Sequence, residues 1–197
     1  MSIYLAMRVT ACGIAILLAG CGTSPKTNPQ PVGPGATNLE SPIPAVKNPR
    51  DVTAMARRPC ELLTTQQATK FGLDTPPEQL DGLFDTLRCK WTSTTRDRRI
   101  IRTVDISMFT NNPTLEVAYD QDRRRPFFDL IEIAGYPVIV TRPKADLPVC
   151  DIVIKPAERQ SVTVSYDSDI FKNNPQQSCE VGKQVAAAVI MNLPLKR

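Results

Sequence analysis

The chain carries six cysteines, 20 carboxylates and no histidine, and these residue types bound the chemistry open to it. The most informative cysteine is Cys21. It closes the tetrad Leu18-Ala19-Gly20-Cys21 at the end of an uncharged apolar run, Val9 to Gly20, that follows Arg8. A run of about 12 residues falls short of the ~20 that a membrane-spanning helix needs and has the length of a signal-peptide apolar region. Small residues before a cysteine let a peptidase close on the backbone, and the thiol accepts a diacylglycerol before cleavage. The tetrad therefore predicts a signal peptide over residues 1–20 and a lipidated N-terminus at Cys21. Two or three acyl chains, each adding about 0.8 kcal/mol per buried methylene, would hold the mature protein on the outer face of a membrane. Met7-Arg8 reads as an alternative start, and Cys12 would leave with the signal peptide.

Cys60, Cys89, Cys150 and Cys179 remain. An even number in an oxidising compartment reads as two disulfides, with three pairings open. The separation of Cys60 from Cys89 equals that of Cys150 from Cys179, which favours those two pairs. No Cys-x-x-Cys occurs, so zinc and thiol redox chemistry are not expected.

Without histidine, a Ser-His-Asp or Cys-His mechanism is excluded, and the commonest metal ligand is missing. No phosphate-binding glycine loop and no Gly-x-Ser-x-Gly occurs. Acids at Asp120, Asp122 and Asp129, and at Asp167 and Asp169, read as solvated turns; a carboxylate-dependent hydrolase or transferase would need two of them to converge. No cofactor is expected. Basic clusters lie at Arg57-Arg58, Arg96-Asp97-Arg98-Arg99 and Arg123-Arg124-Arg125. Their plain role is solubility and helix-end charge. Their functional role would be contact with anionic lipid or an acidic partner, with Arg57 and Arg58 nearest the anchor. The net charge of +4 is a weak bias and does not argue for nucleic acid.

These residues need a scaffold. Residues 21–57 are rich in Pro, Asn, Thr, Gly and Ser and lack apolar periodicity, so they read as a disordered tether. The folded domain is expected over 58–197. Thr64 and Gln67 have capping-box spacing for a helix at 64–71, closed by Gly72. Residues 89–93 read as a strand in which Trp91 packs over a disulfide in the core. Residues 99–109 alternate, with Val104, Ile106 and Met108 on one face. Asn112-Pro113 opens a helix running to about Arg124 through Leu115, Val117 and Ala118. Strands follow at 137–141, 150–154 and 161–166. Ser178 is expected to cap a last helix at 179–192, with Val181, Val185, Ala188 and Val189 buried. The pattern is α+β: an antiparallel sheet with two or three helices packed on one side, disulfide-stapled and preceded by a disordered tether.

In this order the motifs form a resemblance. The Leu-Ala-Gly-Cys tetrad, the Pro-rich tail, Pro59-Cys60-Glu61-Leu62-Leu63, Cys89-Lys90-Trp91, Ile133-Ala134-Gly135-Tyr136, Cys150 opening a strand and Cys179 opening a final helix are together similar to actinobacterial lipoproteins with the domain of unknown function DUF3558. The resemblance implies a cell-envelope address, four structural cysteines and no catalytic residues. The expectation is a non-enzymatic binding or accessory protein, attached to the membrane through Cys21, whose partner is an envelope protein or a small apolar ligand.

Overall fold

The computed structural model describes residues 42–83, 86–97, 99–112 and 114–196. A single seven-stranded sheet organises them. Its strands are β1 (Glu78–Asp81), β2 (Leu87–Thr94), β3 (Ile100–Phe109), β4 (Phe128–Ile133), β5 (Tyr136–Thr141), β6 (Val149–Ala157) and β7 (Gln160–Ser168), and its helices are α1 (Thr65–Lys70), α2 (Thr114–Asp122) and α3 (Gln176–Asn192). The spatial order is β1-β2-β3-β7-β6-β5-β4. Every neighbouring pair is antiparallel.

Strand alternation builds the core directly. Trp91 stands opposite Val104, Val104 opposite Tyr166, and Tyr166 opposite Cys150, so one row of side chains crosses four strands on a single face. α3 lies on this face, burying Cys179, Val185, Ala186, Val189 and Ile190. A β-carbon at Gly182 would sit 2.9 Å from Ile152 Cδ1, so the absent side chain lets α3 approach β6. α1 also covers this face through Ala68, next to a 3₁₀ turn at Pro59–Leu62. The other face is half apolar. There Leu115 and Ala118 of α2 meet Ile139, Val153 and Ile43, while Val117 faces solvent. Two helices thus share one side of the sheet and α2 covers part of the other. Buried Lys155 on β6 ties α2 down, its Nζ 2.8 Å from Glu116 Oε1 and 3.1 Å from Glu158 Oε1.

Both disulfides have the expected pairing. Cys60–Cys89 and Cys150–Cys179 each close a separation of 29 residues. The capping box of α1 forms: Gln67 N donates to Thr64 Oγ1 at 3.2 Å, and Thr64 N to Gln67 Oε1 at 2.9 Å.

Three expectations are corrected. The folded body begins well before residue 58, because Ile43, Val52 and Met55 are buried and Arg50 bridges to Leu195. The tether expected over 21–57 lies, up to residue 41, outside the described residues. Ser178 does not cap α3, which starts two residues earlier; its hydroxyl is buried and donates to Pro148 O at 2.7 Å. Finally, β1 and β4, the two sheet edges, were not foreseen. Among the described residues no helix is long and apolar enough to cross a membrane.

Candidate functional site

A cleft of about 400 Å³ opens between α1 and the β2 end of the sheet. The sequence builds it from three pieces. The turn at Pro59–Leu62 and the following Leu63 are held to β2 by the Cys60–Cys89 disulfide. α1, fixed by its capping box, then presents Ala68 and Thr69. The chain reverses at Gly72, whose φ of +73° suits glycine, and returns as Leu73-Asp74-Thr75-Pro76-Pro77 along the cleft.

The floor is apolar. Leu63, Leu73 and Trp91 are each under 5% exposed, and Cys60 borders the cleft beside them. Thr65, Thr69, Asp74 and Thr75 are the polar side chains at this cavity. Thr69 Oγ1 donates to Thr65 O at 3.0 Å within α1, and two others engage β2: Asp74 Oδ1 accepts from Thr94 N at 3.3 Å, and Thr75 Oγ1 donates to Thr92 O at 3.0 Å. The last two bonds fasten the return loop to β2 and leave the floor to apolar contact. The volume lies within the roughly 300–1,000 Å³ of small-molecule sites, and an apolar lining with a few polar groups is their usual character.

A second cavity of about 410 Å³ lies around Gly82, Leu83, Ser107 and Phe109, with the Arg88–Asp105 ion pair in its wall. Asp81 and the exposed Leu83 border the same cavity, so it is more open and more charged at its rim than the Trp91 cleft.

Two of the acids come together, but not in a cavity of ligand size. Asp120 and Asp129 are exposed, and Asp122 pairs with Arg125 at 2.8 Å. Asp167 and Asp169 share a crevice of only about 60 Å³, and Asp169 pairs with Lys172. Burial, with the neighbouring Asp169 charge, raises the pKa of Asp167. Among the described residues no group of three or more His, Cys, Asp or Glu could hold a metal.

The basic clusters do not form one surface. Arg57 and Arg58 are exposed, Arg58 pairing with Glu61 at 2.9 Å. Their segment is fixed near the C-terminal end of β6, where Arg50 N donates to Pro156 O at 2.9 Å. Arg123, Arg124 and Arg125 are exposed after α2, with Arg125 within electrostatic reach of Asp151 near the start of β6. Arg123 lies over the Tyr119 ring at 5.9 Å. Arg96 and Arg99 flank the β2–β3 turn, where Arg98 lies outside the described residues, as does Cys21. Sequence reading placed Trp91 beside a disulfide, which holds, but it missed the cleft that the two line. Leu63, Leu73, Pro76 and Pro77 are ordinary apolar residues in the sequence, and only the fold brings them together.

The fold and site define a disulfide-stapled α+β sheet domain with an open apolar cleft. The chain belongs to the family described as "Protein of unknown function (DUF3558)", whose model matches residues 16–192. No curated protein and no solved structure matches it.

Proposed function

We propose that this chain is an envelope lipoprotein of the actinobacterial type, lipidated on Cys21, whose folded body holds a small apolar ligand without transforming it. The observation that carries the reading is the cleft floored by Leu63, Leu73 and Trp91. The tetrad ending at Cys21 supports the anchor. Burying alkyl surface against this floor would gain about 25 cal/mol per Å². The small size of the crevice at Asp167 and Asp169 and the missing histidine support a binding role over a catalytic one.

Trp91 is the only tryptophan, so its emission reports on the cleft alone. Titration with a brominated medium-chain alcohol should quench it saturably, and Ala68→Phe or Leu63→Arg should abolish saturation in protein that still unfolds cooperatively. Quenching that rises linearly without saturation would defeat the binding role. For the anchor, radiolabelled palmitate should enter the wild-type chain, and Cys21→Ala should release the protein into the medium; a variant that stays on the membrane unlabelled would overturn it.

A further inference from the structure

On the far side of α1 from the cleft lies a smaller cavity of about 270 Å³. Its wall carries two cations, Lys70 and Arg102, together with Tyr166 and Gln184, and no carboxylate. Arg102 reaches it from β3. Its Nη1 donates to Gly72 O at 3.3 Å, and a β-carbon at Gly72 would stand 2.5 Å from the same nitrogen. Glycine at this position therefore lets the guanidinium lie flat on the chain. Part of that arrangement serves α1, whose carbonyl end favours positive charge. The Gly72 carbonyl and the Tyr166 hydroxyl, however, use two of five guanidinium N–H donors. Among the described residues Arg102 forms no ion pair; Asp169, across the adjoining crevice, is paired with Lys172 instead. Lys70, exposed at the last position of α1, forms none either.

Thr69, exposed on α1, borders both this basic cavity and the apolar cleft. An apolar trough and a basic pocket separated by one exposed threonine match the two ends of a single molecule. We propose that the ligand is a single-chain anionic amphiphile, its alkyl chain in the Trp91 cleft and its carboxylate or phosphate head on Arg102 and Lys70. This rests on the reading of the cleft as a ligand site.

The test uses the purified full chain and three brominated probes of equal chain length: dodecanol, dodecanoate and dodecyl phosphate, each below its micelle-forming concentration. Quenching of Trp91 reads occupancy of the cleft. Both anions should bind at least about tenfold more tightly than the alcohol, the difference expected from one or two charge-assisted hydrogen bonds. The order of the two anions separates a fatty-acid-like from a phospholipid-like source. Arg102→Gln should erase the preference and leave the affinity for dodecanol unchanged. Lys70→Gln, at an exposed site, should narrow it without touching the fold, so the test survives if Arg102→Gln unfolds. Equal affinity for all three probes in the wild type would overturn the head-group assignment and leave the cleft standing. Saturable quenching by none of them would remove both. Inorganic phosphate alone, binding by calorimetry as tightly as dodecyl phosphate, would overturn the amphiphile in favour of a free-anion site.

Discussion

Arg50 is clasped to Tyr136 across the end of the sheet. Its Nε donates to the Tyr136 hydroxyl at 3.0 Å, and its guanidinium carbon lies 5.8 Å from the ring centroid. The hydroxyl in turn donates to Asn48 O at 2.6 Å, and Arg50 Nη1 reaches Leu193 O after α3. One side chain thus joins the entering chain, β5 and the C-terminal segment. This explains why a proline-rich stretch that composition assigns to a tether is part of the folded body. Val52 and Met55 follow directly into the core.

Removing this clasp should therefore act globally. Arg50→Ala should lower unfolding stability by about 1.5–3 kcal/mol, the range for hydrogen bonds to a charged group. Tyr136→Phe, which keeps the ring and loses the hydroxyl, should cost about 1 kcal/mol. Urea unfolding measures both. If either variant matches the wild type, the segment around Arg50 is an ornament on a body that starts near residue 58.

The two disulfides should differ in how they yield to reductant. Each closes a separation of 29 residues, so each should stabilise by about 3–4 kcal/mol in the chain-entropy model. Access is unequal. Cys150 and Cys179 are both fully buried between β6 and α3, whereas Cys60 is partly exposed at the cleft. Mild reduction followed by alkylation should label Cys60 and Cys89 first, and peptide mapping reads the order. Simultaneous labelling of all four would mean that the chain opens globally before either bond is attacked.

The sequence was most legible where burial imposes a period. β3 and β7 sit in the middle of the sheet, and their alternating Val104, Ile106, Met108 and Val162, Val164, Tyr166 are all buried on one face. The edge strands carried no such signal. β1 exposes Glu78, Gln79 and Asp81, and Asp129 and Glu132 interrupt β4. Charges at edges discourage pairing with other chains, and the same charges erase the alternation. Ser178 misled because serine before a helix is a common cap, while here its hydroxyl is spent on Pro148 O. The candidate site was legible only in part. Trp91 and Cys89 share one face of a strand, which local sequence can show. Leu63 and Leu73 meet them through α1 and the Gly72 reversal, and that convergence has no local signature.

Asp151 offers a pH-dependent test of the partly covered sheet face. Burial raises the pKa of its carboxyl, against the hydrogen bond from Ser165 Oγ at 2.8 Å and the charge of Arg125, with Asp122 adding to the rise. The native state then holds this proton more tightly than the unfolded chain. The contribution to stability is fully present below the ordinary aspartate pKa of about 3.9 and is lost as pH rises through the higher folded value. Asp151→Asn keeps an acceptor for Ser165 and removes the charge. The variant should melt above the wild type at pH 7, with the gap closing towards pH 3. A gap independent of pH would locate the effect in packing instead.

Lys155 and Glu116 give the sharpest contrast between breaking a buried pair and replacing it. The Lys155 side chain is 7% exposed, whereas Glu116 and Glu158 are 37% and 71% exposed. Burial opposes the ammonium charge, but the bonds from both glutamates outweigh it and leave the Lys155 pKa raised. Glu116→Gln should strand most of that buried charge and cost about 1–3 kcal/mol. Lys155→Met fills the same volume and lets both glutamates turn to water, so its cost should stay below about 1 kcal/mol. The contribution of the pair is complete below the ordinary lysine pKa of about 10.4 and fades as pH rises through the higher folded value. Urea unfolding at pH 7 and again above pH 10 should therefore show Glu116→Gln as the more damaging change at neutral pH, with the difference shrinking in alkali. The reverse order at pH 7 would mean that α2 is held to β6 by its apolar stripe alone.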